Sequence, residues 1–189
     1  LIVCGFQANG SFYPVPKGKY TLEFVGDSIT SGEGTYGAKG DLDWIPMYMS
    51  YSRDYTKMTA DALGADAYII SKGGWGVLSG WDNNPNCKIP SRYEQLCGLC
   101  CGPKNESLGA FTPYDFSARK TDAVIVNLGT NDASAFQQPA WHDPATGQRF
   151  KPLQGRRGFL PAAASKMQPA GTYCLVLRHD WLRSFLCHQ

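Results

Sequence analysis

No apolar run in this chain comes near the ~20 residues that cross a bilayer; 123–126, AVIV, is among the longest. No membrane partner is therefore expected. A basic surface is missing too. Eighteen Lys and Arg against 16 Asp and Glu leave a formal charge of +2, which gives no reason to expect nucleic acid. No basic-then-apolar leader opens the chain. No Gly-Lys is followed by Ser or Thr, which excludes a phosphate-binding P-loop. Histidine is scarce, at three residues, and this becomes important below. What remains is ordinary for one folded domain: 189 residues, 43% hydrophobic and 13% aromatic, are enough for a core without metals or staples.

Seven cysteines cannot all pair within the chain. Cys87, Cys97, Cys100 and Cys101 crowd one stretch, and CGLCC (97–101) contains a C-x-x-C. Zinc would need a second well-spaced Cys/His pair, and none is present. A local disulfide or free thiols is the better reading, and no metal is expected.

Three segments read as strands: TLEFV (21–25), AYIIS (67–71) and AVIVNL (123–128), each short, β-rich and bounded by Gly, Asp or Ser. Their near-continuous apolar character predicts a parallel sheet covered on both faces. Between the first two, Tyr51, Tyr55, Met58 and Ala62 follow helical spacing and Gly64 supplies a stop. The pattern is that of an open α/β sheet. At the amino end, LIVCGFQANGSFYPVP (1–16) reads as a strand, an Asn-Gly turn and a Pro-rich linker. From Pro139 onward the pattern weakens, prolines and glycines interrupt it, and after Asp143 the only acid is Asp180. YCLVL (173–177) is a candidate further strand.

The first strand runs into GDSITSGEG (26–34). Residues 32–37 spell G-x-G-x-x-G, with Asp54 about twenty residues on, the dinucleotide fingerprint on paper. That mechanism needs the first glycine in the turn that ends the strand, so that pyrophosphate meets the next helix. Gly32 comes seven residues after Val25, and Asp54 falls in the helical pattern. The reading fails on geometry. A serine just past a buried strand fits better, because ligands of open α/β sheets bind at the carboxyl edge. Backbone N–H groups there can face a developing oxyanion. Past the second strand comes SKGGWGV (71–77), and past the third NLGTND (127–132). Three strand ends thus carry Ser, Gly and Asn: a nucleophile, a backbone donor and a carboxamide.

These blocks, GDSIT, GGWG and GTND, resemble those of the GDSL, or SGNH, serine hydrolases. The longer text LEFVGDSITSGEG, GWGV and VIVNLGTND is most similar to the second-family carbohydrate esterases, which remove acetyl groups from plant polysaccharides. The resemblance covers about residues 20–135. It implies a three-layer α/β/α flavodoxin-like fold with a parallel sheet, short at its C-terminal end. It also implies a cofactor-free serine esterase acting on acyl esters, O-acetyl carbohydrate among them, at a secreted or cell-surface location. In this resemblance Ser28 is the nucleophile and lends its N–H to the oxyanion hole. Gly74 is the second donor, with Gly73 and Gly76 competing, and Asn131 gives its side-chain amide. Asp27 and Asp132 orient the turns, and Trp75, Trp81 and Trp44 are candidates to line a sugar cleft. Residues 1–16 become the end of a preceding jelly-roll domain, and 17–189 the hydrolase domain, atypical over 139–189.

The family's fourth block, Asp-x-x-His, supplies the base and the group that orients it. Three residues before His142, His179 and His188 stand Pro139, Val176 and Phe185, so none matches. His179, just past the candidate strand 173–177, is the first choice as base. Together the ends suggest a chain that begins inside one domain and leaves the family's reading frame after Asp132. The alternative function is a non-catalytic, carbohydrate-binding member of the fold that lacks the base.

Overall fold

The computed structural model describes residues 5–37, 40, 45–141, 145 and 172–177. Its centre is a parallel sheet of β1 (Tyr20–Gly26), β2 (Ala65–Ser71), β3 (Ala123–Leu128) and β4 (Thr172–Leu177), in the order β2-β1-β3-β4. Each expected strand is present, and β4 is the candidate over 173–177, one residue longer. The α/β class expected from the sequence is the one observed.

Successive residues of a strand point to opposite faces, and β1 uses this to serve two layers. Phe24, 1% exposed, meets Tyr55 edge-on at 5.7 Å on one face. Val25 turns to the other, into a cluster with Trp75, Ile89, Tyr93, Val124, Val126 and Leu128. Tyr55 opens helix α1 (Tyr55–Leu63), so α1 covers the first face. The second is covered by the long insertion between β2 and β3. That insertion includes the short helix α2 (Pro103–Ser107) and is tied by the bridges Trp75↔Gly80, Gly76↔Lys88 and Gln95↔Pro113.

Helix α1 begins where Asp54 accepts the Tyr55 N–H at 2.7 Å and the Thr56 hydroxyl at 2.6 Å, and ends at Gly64. Asp54 is thus an N-cap, which closes the dinucleotide reading from a second side. The helical stripe, however, is corrected. Tyr51 stands before the helix, and Met58 and Ala62 are exposed; the buried positions are Thr56 and Ala60. Small residues let the helix lie close to the sheet, and a search for large apolar side chains misses that face.

Glu23 is a second departure. It stands mid-strand with no exposure, accepting a bond from the Tyr93 hydroxyl and pairing with Arg119. The Arg119 guanidinium lies 3.8 Å from the Tyr68 ring centroid. A charge inside TLEFV is tolerated because its partner comes from the insertion.

Residues 5–17 carry no regular element and are exposed; Phe6 and Phe12 touch at 6.2 Å between ring centroids. Trp44, His142, His179 and His188 lie outside the described residues.

Candidate active site

Register brings the three motif-bearing strand ends level. Gly26 of β1 pairs with Ser71 of β2 on one side and Asn127 of β3 on the other. With β2 on one side of β1 and β3 and β4 on the other, the order reverses between β1 and β3. Open α/β sheets form their ligand crevice outside the carboxyl ends at such a point. Ser28 follows one of these strands and Asn131 the other.

Past Gly26 the chain makes a turn rather than a helix. Asp27 Oδ1 accepts the Ile29 N–H at 3.1 Å, and the Ser28 carbonyl accepts the N–H groups of Ser31 and Glu33, each at 3.1 Å. Ser31 Oγ donates to Ser71 Oγ at 2.8 Å, fastening the turn to the end of β2. Thr30 Oγ1 and Tyr55 Oη lie 2.9 Å apart and fasten it to α1. Burial pushes the Tyr55 hydroxyl above its ordinary value, against the pull of Thr30, so it stays protonated near neutrality. Ser28 itself is half-buried, and neither its hydroxyl nor its N–H meets a partner among the described residues. The Ser28 hydroxyl is therefore available while its backbone is held.

The second strand end supplies GGWG. Gly74 has φ +77°, a left-handed conformation that a side chain would strain, and an added Cβ would stand 3.1 Å from the Trp81 ring. Its N–H meets no acceptor among the described residues, and its carbonyl takes the Trp81 N–H at 3.0 Å. Trp81 is 58% exposed beside this turn, as a cleft-lining residue would be. Trp75 is not: at 8% exposure its indole belongs to the core cluster, which corrects its place in the cleft. What Trp75 offers the site is its carbonyl. Gly73 lies against Glu33 and close to Ser28, with 3.7 Å from an added Cβ to Ser28 Cβ.

The third strand end leads into α3 (Thr130–Ala135), with Asn131 and Asp132 in its first turn, both buried. The Asn131 amide donates to Trp75 O at 2.9 Å and makes a longer 3.4 Å contact with Asp27 Oδ2. One side chain thus joins all three strand ends. Asp132 accepts the N–H groups of Val77 (2.8 Å) and Leu78 (2.7 Å). It reaches them because residue 76 is glycine: a Cβ there would stand 2.5 Å from Asp132 Oδ2. Gly76 is accordingly a packing position, with its N–H already given to Cys87 O. That leaves Gly74 and Gly73 as the candidate donors.

Burial raises the Asp132 carboxyl above its ordinary 3.8, more than the Val77 and Leu78 amides lower it. The folded chain then holds this proton more tightly than the unfolded chain. Stability from this group is present below 3.8 and is lost as pH rises through the folded-state value. The stability of the native chain relative to Asp132→Asn is therefore expected to fall as pH rises from 3.8 toward neutrality. Urea unfolding of both proteins across that range measures it, and a flat difference would contradict the assignment.

Of the residues the sequence nominates, Ser28, Gly74, Asn131, Asp27 and Asp132 are brought together by the fold. Sequence reading missed the fastening groups Thr30, Tyr55, Ser31 and Ser71 and the neighbouring Glu33. Thr30, Ser31 and Glu33 carried a signal, since they lie in the same nine-residue motif as Ser28.

Comparison with known proteins bears on the family and the fold. The family model described as GDSL-like Lipase/Acylhydrolase matches residues 22–156, past the 135 at which the motif resemblance stops. The acetyl xylan esterase Est2A of the rumen bacterium Butyrivibrio proteoclasticus is similar in structure, with a TM-score of 0.74 and 44% identity over 90% of this chain and half of that one. The cellulase/esterase CelE of Acetivibrio thermocellus is 30% identical over 132 residues, which are 69% of this chain and 15% of that protein. A family two carbohydrate esterase from Clostridium thermocellum, solved with cellohexaose, shares the fold at a TM-score of 0.68 and 23% identity, over 88% of this chain and 45% of that one. The chain spans half or less of the length of each of these relatives.

Proposed function

Since the chain belongs to the GDSL-like lipase/acylhydrolase family, we propose that it is a serine esterase that removes acetyl groups from carbohydrate by way of a Ser28 acyl-enzyme. The observation that carries this reading is the Asn131 side chain. It reaches across the β1/β3 switch point to Asp27, the residue before Ser28, and to the Trp75 carbonyl beside Gly74.

Ser28 Oγ attacks the ester carbonyl carbon, and the carbonyl oxygen becomes a tetrahedral oxyanion. Among the described residues the N–H groups of Ser28 and Gly74 meet no acceptor, so both can turn to it. The Asn131 N–H that makes only a 3.4 Å contact with Asp27 is weakly held, so a full negative charge competes for it readily. Collapse expels the sugar hydroxyl and leaves the acyl group on Ser28; water then releases the acid. No cofactor enters this sequence. The Ser28 proton needs a base, and His179 is our choice. Strand β4 ends at Leu177, level with Leu128. The rest of the cleft is assigned to Trp81, whose exposed ring beside Gly74 suits the face of a sugar. Acetylated xylan is the substrate we favour, on the 44% identity to an acetyl xylan esterase.

Acetate release from acetylated xylo-oligosaccharides, set against release of longer acids from the corresponding esters, tests the reading. Acetate alone is expected, and no release from any ester would overturn it. Asn131→Ala is expected to lower kcat by about 10²–10³, the effect of losing one oxyanion donor, with KM nearly unchanged. A rise in KM at constant kcat would instead place Asn131 in ground-state binding.

A further inference from the structure

The CGLCC stretch lies outside the esterase chemistry, and its local geometry has its own consequence. Cys97 donates its N–H to Ala110 O at 2.9 Å, and Cys100 donates its N–H back to Cys97 O at 2.9 Å. This is a hydrogen-bonded four-residue turn, whose end Cα atoms lie within about 7 Å. A disulfide needs Cα atoms roughly 4.4–6.8 Å apart. Both cysteines are half-buried thiols. The neighbouring Leu96 is pinned to Thr112 O at 2.7 Å, and Leu99, inside the turn, packs on the cluster that contains Trp75. The turn is thus built before any bond forms, and it rests on the layer that carries the second strand-end motif.

From this turn we propose that Cys97 and Cys100 form a reversible thiol–disulfide pair that exchanges with small-molecule disulfides such as oxidised glutathione. In the first step the Cys100 thiolate attacks one sulfur of the small disulfide, forms a mixed disulfide and releases one thiolate. In the second, Cys97 loses its proton to solvent and attacks the Cys100 sulfur. That closes the Cys97–Cys100 bond and releases the second thiolate. Two protein thiols are oxidised and one small disulfide is reduced to two thiols. Cys97 is the later reactant because burial, and then the Cys100 sulfur, push its thiol above the ordinary value. Cys101 is the exposed bystander, its sulfur turned to Gly98 O and Leu99 O at 3.8 and 3.9 Å. A four-residue ring removes little freedom from the unfolded chain, so the pair acts as a redox element more than as a stabilising staple.

The full chain is equilibrated in glutathione buffers of rising oxidation, blocked with a thiol alkylator, digested with trypsin and weighed. Cleavage after Arg92 and Lys104 releases Cys97, Cys100 and Cys101 in one peptide, and cleavage after Lys88 places Cys87 in another. The expected species carries one alkylated cysteine and lacks the two hydrogens of the remaining thiols. It grows with oxidation and disappears with dithiothreitol. Cys101→Ser should retain it, and Cys100→Ser should abolish it without changing the circular dichroism. Three alkylated thiols at every buffer ratio would overturn the proposal. So would a link from this peptide to any other, or a bridge that Cys101→Ser removes.

Discussion

Ser28→Ala is expected to lower kcat for ester hydrolysis by a factor on the order of 10⁴ to 10⁶, the range seen when a nucleophile or its base is deleted. Folding should be nearly untouched. The Ser28 side chain is half-buried and makes no hydrogen bond among the described residues, while the turn is held by its backbone and by Asp27, Thr30 and Ser31. Removing one unbonded hydroxyl there should change stability by less than about 0.5 kcal/mol. The comparison is initial rates on an aryl acetate and on acetylated xylo-oligosaccharides, with urea unfolding as the control. Equal rates in the two proteins would take Ser28 out of the chemistry. Sugar binding by both, with no Ser28-dependent turnover in either, would select the non-catalytic reading. Loss of rate on both substrates with binding retained is the expected result.

The largest stability effect is expected at Glu23. Its carboxylate is fully buried between the Tyr93 hydroxyl and the Arg119 guanidinium, whose side chain is 14% exposed. Glu23→Ala removes one charge and leaves the other largely buried, beside the Tyr68 and Tyr114 rings and with a long 3.4 Å bond from its Nε to Thr121 Oγ1. Breaking a buried pair from one side costs about 3–5 kcal/mol. Set against the roughly 5–15 kcal/mol that holds a domain together, this is enough to unfold a large fraction of the chain on mild heating. The double substitution Glu23→Leu with Arg119→Leu should recover much of that loss, because neither charge then remains to be desolvated. Urea midpoints of the two single variants and the double variant measure the coupling. Additive losses would show that the pair contributes nothing beyond its two side chains.

The strands were legible in the sequence because each is a short apolar run closed by Gly, Asp or Ser, and such runs need no partner to be noticed. The motif that follows each strand was legible for the same reason: Ser28, Gly74 and Asn131 sit two or three residues past a strand end. A parallel sheet places all those ends on one edge. Helix α1 was located correctly, but its buried face was not. Thr56 and Ala60 make that face because α1 packs closely on the sheet, and spacing alone favoured the exposed Met58.

Other features depended on contacts between distant parts of the chain. Glu23 meets Tyr93 from 70 positions away and Arg119 from 96, so nothing inside TLEFV could announce that its charge is paired. The Asn131 amide finds Trp75 O across 56 positions and Asp27 across 104. Asp132 reaches Val77 across 55, through a gap that only a glycine at 76 leaves open. The sequence by itself determined the family's class of chemistry and the strand end at which each motif falls, because backbone propensity and motif spacing are local. Tertiary structure decided which donors stay free, which glycine serves packing, and whether a buried charge is stable, because these depend on distances that close only when the sheet forms.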